Sequence, residues 1–132
     1  MNDRLTKIAA ACLGGAETGG LTFPEIVGTL MSEGFDGYQA DLRAGEIAYY
    51  LPDGDNVRLP AVKPATAIAE KFDAAIVRDA IREAQANAPG YSYAGFCEKV
   101  AGAGCAGYLV SFPGRRVVYF GRTGEIHTEH FP

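Results

Sequence analysis

His127 and Glu129 stand two positions apart near the end of the chain, and no other pairing of residue types and spacing in it invites chemistry as directly. On a strand, residues i and i+2 share a face. The imidazole and the carboxylate would then meet as an acid/base pair or as two metal ligands, with Arg116 nearby to hold an anion. The competing reading is simpler and the sequence favours it. An edge strand commonly carries charge that discourages edge-to-edge association, and His127, Glu129 and His130 would serve that purpose alone. A metal centre is not expected. On a strand His127 and His130 point to opposite faces, the chain has only 2 histidines, and no cysteine or carboxylate is spaced to complete a zinc site.

Other reactive side chains read as structure. Arg115, Arg116 and Arg122 could grip an anion, but such a set is more often a solvated face. Tyr38, Tyr49, Tyr50, Tyr108 and Tyr119 could stack on a ring-bearing ligand, yet strand aromatics usually pack the core and one another. Cys97 falls on an apolar helix face and Cys105 just beyond that helix, neither in the electropositive setting that makes a nucleophile. No nucleophile elbow, phosphate loop, dinucleotide fingerprint or metalloprotease motif occurs. Hence no catalytic residue, cofactor or metal is expected.

The elements that position these residues recur at a fixed offset of 70. Gly34/Gly104, Gly37/Gly107, Tyr38/Tyr108, Tyr49/Tyr119 and Gly54/Gly124 coincide, and Thr22 aligns with Ser92, Phe23 with Tyr93, and Ile47 with Val117. Glycines fall where the backbone must turn, and apolar residues keep phase between them. The expected architecture is a single α+β domain formed by internal duplication, with pseudo-repeats of about 1–62 and 71–132. Each repeat holds helices packed on a three-stranded antiparallel meander.

In chain order, Asn2 or Asp3 caps a first helix that Gly14-Gly15 ends. Thr22-Phe23-Pro24-Glu25 is a capping box opening a second, with Ile26, Val27, Leu30 and Met31 on one face. Strands follow at Tyr38–Leu42, Ile47–Leu51 and Asn56–Leu59. Pro60–Lys71 links the halves, and Ile68–Phe72 could be a short strand or a helical turn. Asp73 caps a helix that carries Ile76, Val77, Ala80, Ile81 and Ala84 inward. Ser92 opens the next, whose apolar face is Phe96, Cys97, Val100 and Ala101, and strands run at Tyr108–Phe112, Arg116–Gly121 and Ile126–Phe131.

A two-residue hairpin at Thr123-Gly124 would pair Phe120 with His127, Val118 with Glu129 and Tyr119 with Thr128. The same geometry in the first half sets Val57 opposite Tyr50 and Leu59 opposite Ala48. At equivalent positions, then, one half has Val57 and Leu59 where the other has His127 and Glu129. Two ionisable groups in place of two aliphatics would be costly if buried and unpaired, which is what draws a functional reading to β-strand residues 127 and 129.

With 48% hydrophobic and 21% charged residues the composition is that of a globular chain with an ordinary core. A net charge of −4 gives nucleic-acid binding no global support. The 3 cysteines, in no paired spacing, suit a reduced cytoplasmic protein. Ala9-Ala10-Ala11-Cys12 faintly resembles a lipoprotein cleavage box, but the apolar run Ile8–Leu13 is too short for a signal-peptide core, and no stretch approaches the ~20 apolar residues that span a bilayer.

Tyr49-Tyr50-Leu51-Pro52-Asp53-Gly54, Gly114–Arg122 and the ending Glu129-His130-Phe131-Pro132 together resemble the YbcV/YdfO-like family, small bacterial and prophage-borne proteins sometimes labelled phage envelope protein. The resemblance runs from Thr22 to Pro132. It implies an α+β fold and a phage connection, and it supplies no activity and no site residues. The function expected is that of a non-enzymatic cytoplasmic binding protein, with an unknown protein or a second copy as partner through a sheet edge, and with no membrane or nucleic acid. The alternative is a small-molecule or hydrolytic site around His127, Glu129 and Arg116.

Overall fold

Local capping sets the helix boundaries throughout residues 1–132, all of which the computed structural model describes. Asn2 accepts a hydrogen bond from the Leu5 N–H and opens α1 (Asp3–Thr18). Thr22 and Glu25 form the reciprocal box of α2 (Phe23–Ser32), each side chain accepting from the other's backbone N–H. Asp73 and Ser92 cap α3 (Ala74–Gln85) and α4 (Tyr93–Gly102) by accepting from Ile76 and Gly95. Gly34 and Gly104 follow α2 and α4 with the same φ of 89°, the left-handed conformation that ends a helix most cheaply in glycine.

Six strands form one antiparallel sheet: β1 (Gly37–Asp41), β2 (Glu46–Tyr50), β3 (Asn56–Pro60), β4 (Cys105–Ser111), β5 (Arg116–Gly121) and β6 (Ile126–His130). Their order is β3-β2-β1-β4-β5-β6, two meanders joined along β1 and β4. The fold is α+β, with the four helices on one face of the sheet. The join needs glycine on both sides. A methyl group on Gly37 would lie 2.2 Å from the Val110 carbonyl oxygen, and one on Gly107 would lie 2.4 Å from that of Ala40.

Beneath the helices, Tyr38 and Tyr49 pair across β1–β2 with ring centroids 5.2 Å apart, and Tyr108 and Tyr119 pair across β4–β5 at 5.6 Å. Such aromatic pairs contribute about 0.5–1.5 kcal/mol beyond the area they bury. Tyr93 reaches in from α4 to share a 2.6 Å hydroxyl bond with Tyr108. Val27, Leu30, Val77, Val100 and the three free cysteines complete the interior.

The structure departs from the sequence expectations at several points. Both outer hairpins have three-residue loops, not two. Gly121 N–H donates to Glu125 C=O, Gly124 N–H donates to Gly121 C=O, and Gly124 has φ 83°; Leu51, Asp55 and Gly54 repeat the arrangement with φ 92°. A left-handed glycine at the third loop position adds a bulge. The register therefore slips by one residue: Tyr119 pairs with His127, Val118 with Thr128, Val117 with Glu129, Tyr49 with Val57 and Ile47 with Leu59. Every side chain of β6 is thereby moved to the face opposite the one expected.

The first helix also runs past Gly14-Gly15 to Thr18 and ends at Gly19 with φ 80°. Leu21 folds back so closely on Gly15 that a Cβ there would sit 2.4 Å from its Cδ1, so glycine is kept for approach and not for a stop. Residues 68–72 form neither strand nor helix; Ala69 N–H donates to Ala101 C=O and Asp73 N–H to Ala103 C=O, tying the connector to α4. Met31 and Ile76 are exposed, at 43% and 49%, because each stands at the margin of its helix's apolar stripe.

Candidate functional site at the outer strand

The corrected register places His127 and Glu129 at the β6 end of two rows that cross the helix-covered face. One row runs Leu59, Ile47, Ala40, Tyr108, Tyr119, His127; the other runs Val57, Tyr49, Tyr38, Val110, Val117, Glu129. At the β3 end both rows finish in aliphatics packed on the core. At the β6 end they finish in a hydrogen-bonded couple, His127 Nε2 to Glu129 Oε1 at 2.9 Å, each side chain only 22% exposed. Satisfying each other removes most of the cost of putting two polar groups at the core's margin.

Arg116 does not join them. It pairs with His130 across β5–β6 on the open face, and its Nε donates to the Gly114 carbonyl at 3.0 Å. Nor do the three arginines converge: Arg115 lies over the Phe131 ring, while Arg122, at the far end of β5, approaches Glu70 at 3.5 Å. His127 and His130 lie on opposite faces, and no group of three or more His, Cys, Asp or Glu side chains could share an ion. Two hollows are lined elsewhere, one by Tyr91, Ser92, Phe96 and Lys99 between α3 and α4, the other by Tyr50, Leu51, Pro52 and Leu109 on the open face.

The tyrosines and thiols are inert by placement. Burial pushes the Cys97 thiol up to about 12 and that of Cys105 up to about 11. Burial likewise raises Tyr38, Tyr49, Tyr108 and Tyr119 far above the ordinary phenol. None is poised to give up a proton near neutrality.

The open face carries the feature that sequence reasoning missed. In the first meander it presents Gln39, Asp41, Glu46, Asn56 and Arg58, with Ala48 and Tyr50 between them; the equivalent positions of the second are Leu109, Ser111, Arg116, Ile126 and Thr128, with Val118 and Phe120 between them. Ile126 is 61% exposed and Leu109 39%. On β6 the usual pattern is thus inverted, with the aliphatic outward and the ionisable pair inward. Reading Arg122-Thr123-Gly124 as a three-residue loop would have revealed the inversion from the sequence.

The two edges of the sheet also differ. Because Gly121 bonds Glu125 and Phe131 N–H donates to Arg115 C=O, the alternation leaves the N–H and C=O groups of Ile126, Thr128 and His130 turned away from β5. The equivalent groups of β3 belong to Asn56, Arg58 and Pro60. There the Asn56 N–H is already held by Asp55 Oδ1 at 2.9 Å and Pro60 has none. One edge is blunted and the other is open.

These features define an α+β protein with an unblunted outer strand beside an apolar sheet face. The chain belongs to the family described as protein of unknown function DUF1398, which matches residues 14–130. No curated protein matches it, and no helix is long and apolar enough to cross a membrane.

Proposed function

We propose that this is a non-enzymatic cytoplasmic binding protein, a single domain over residues 1–132, that receives an extended strand along β6. The carrying observation is the unpaired backbone of Ile126, Thr128 and His130, set against a β3 edge on which Asp55 occupies the Asn56 N–H and Pro60 offers none. Main-chain hydrogen bonds would supply affinity, and alternate side chains of the incoming strand would lie against Ile126 and Phe120 on the open face. The same reading treats the halves as copies of one module, of which the second exchanged an inward aliphatic pair for an outward apolar stripe. Resemblance to the YbcV/YdfO-like proteins lends it a prophage setting. The hydrolytic alternative has its His127–Glu129 pair, but that pair lines neither the α3–α4 hollow nor the one beside Tyr50 and Leu109.

Panning a displayed random-peptide library on the wild-type protein, with counter-selection on Thr128→Pro, tests the proposal. Enriched peptides should protect the amides of Ile126, Thr128 and His130 from hydrogen exchange. Failure to enrich any sequence, or binding that leaves those three amides unprotected, would sink it.

A further inference from the structure

We infer that a strand received by β6 is β6 of a second copy of this chain, paired antiparallel about Thr128 so that His127 of each copy faces Glu129 of the other. The inference rests on the strand-addition reading and names its partner. The outward groups of Ile126, Thr128 and His130 decide the pairing, since hydrogen-bonded pairs must be built from them. With Thr128 opposite Thr128, Ile126 meets His130 and all three outward residues are used, giving about six hydrogen bonds, two from each pair.

Two other registers keep the helices of both copies on the same side of the joined sheet. One sets His127 against His127 and the other sets Glu129 against Glu129, and each uses only two of the three outward residues. The Thr128 register alone places unlike groups opposite one another. Two carboxylates directly opposite on a sheet repel, whereas an imidazole can donate an N–H to a carboxylate opposite it in either of its protonation states. His127 and Glu129 are already turned to the same face at 2.9 Å, so each can meet its counterpart without leaving its side of the sheet. The first half has nothing comparable, since Val57 and Leu59 occupy these positions on β3.

A five-residue edge contact is smaller than the roughly 1,200 Å² that stable interfaces bury. The dimer is therefore a readily exchanging one, whose population depends on concentration. It would form a continuous sheet in which the stripes of Ile126, Phe120, Val118 and Leu109 from both copies lie on one open face.

Sedimentation equilibrium over a wide concentration range provides the test. The wild-type mass should climb from 14.0 kDa toward twice that value. Thr128→Pro, which removes the central N–H, should stay at the chain mass, whereas Arg58→Pro on β3 should associate as wild type does. For the register, His127→Glu and Glu129→Lys should each associate poorly alone, and their mixture should associate about tenfold more strongly than either, because both cross-strand pairs become complementary. Circular dichroism establishes that each variant is folded.

A wild type that is monomeric throughout while selected peptides still protect β6 would overturn self-pairing and leave strand addition standing. Absence of both would overturn the two together. Association that survives Thr128→Pro would overturn the choice of edge, and a mixture no stronger than its components would overturn the register.

Discussion

Gln39 and Leu109 face each other across the β1–β4 join, and each occupies in its own half the position the other occupies in its half, 109 − 39 = 70 residues away. Pairs on either side are related in the same way: Gly37 with Ser111, and Asp41 with Gly107. The strand register is therefore the same in both meanders at this offset, and each local difference between them becomes a comparison at matched positions.

Gly34 and Gly104 offer the first such comparison. Both have φ 89°, but a Cβ at Gly34 meets open space, while one at Gly104 would lie 2.2 Å from the Lys71 carbonyl oxygen. Gly34→Ala should cost only the left-handed strain of about 1–2 kcal/mol. Gly104→Ala adds a backbone collision where the connector is tied down, so its cost by urea unfolding should be at least about twice as large. Equal costs would mean that the connector yields freely.

Much of this was legible in the sequence. The caps at Thr22 and Ser92, the αL glycines and the phase of Tyr38, Ala40 and Leu42 are local signals, and local physics sets them. The register of β6 was not, because Thr123-Gly124 reads equally as a two-residue turn or as the end of a three-residue loop, and the choice inverts every face beyond it. Ile68–Phe72 was undecidable for a different reason. Its order comes from α4 through the Ala69 N–H bond to Ala101 C=O, while Glu98 anchors the residues just before it by accepting from the Ala65 and Thr66 N–H groups and the Thr66 hydroxyl. Nothing in the connector itself announces those bonds.

Exchanging the outer pair for its counterparts separates stability from association. His127→Ala alone leaves the half-buried Glu129 without its partner and should destabilise by about 1–2 kcal/mol. The double exchange His127→Val with Glu129→Leu copies Val57 and Leu59, removes both polar groups together, and should be neutral or stabilising by about 1 kcal/mol. A double variant less stable than His127→Ala would mean that the imidazole–carboxylate pair itself holds β6 in place.

Alkaline pH should unfold the protein from a well-defined threshold. Cys97, Cys105 and the buried tyrosines all have folded-state values raised by burial. A raised value means that the unfolded chain loses its protons first, so the stabilising contribution is whole below about pH 8.5, where unfolded thiols begin to ionise. It is then lost progressively as pH rises toward about 11 and 12 for the two thiols, with the tyrosines contributing above about pH 10. Thermal midpoints should be flat on this account from pH 7 to 8 and fall above pH 9. All three thiols should react with Ellman's reagent only on unfolding.

The open face can be made to match its counterpart without touching the interior. Leu109→Gln and Ile126→Asn install Gln39 and Asn56 at matched positions, and both replaced side chains are already substantially exposed. Little core burial is given up, so stability by urea unfolding should change by less than about 1 kcal/mol. Peptide binding and self-association should both weaken, because the backbone edge remains but the apolar surface beside it is gone. Glu46→Ala, on the polar half of the same face, removes only the exposed ion pair with Arg58 and should leave binding unchanged. If Leu109→Gln and Ile126→Asn bind as well as the wild type, the incoming strand is held by its main chain alone and the stripe serves some other contact.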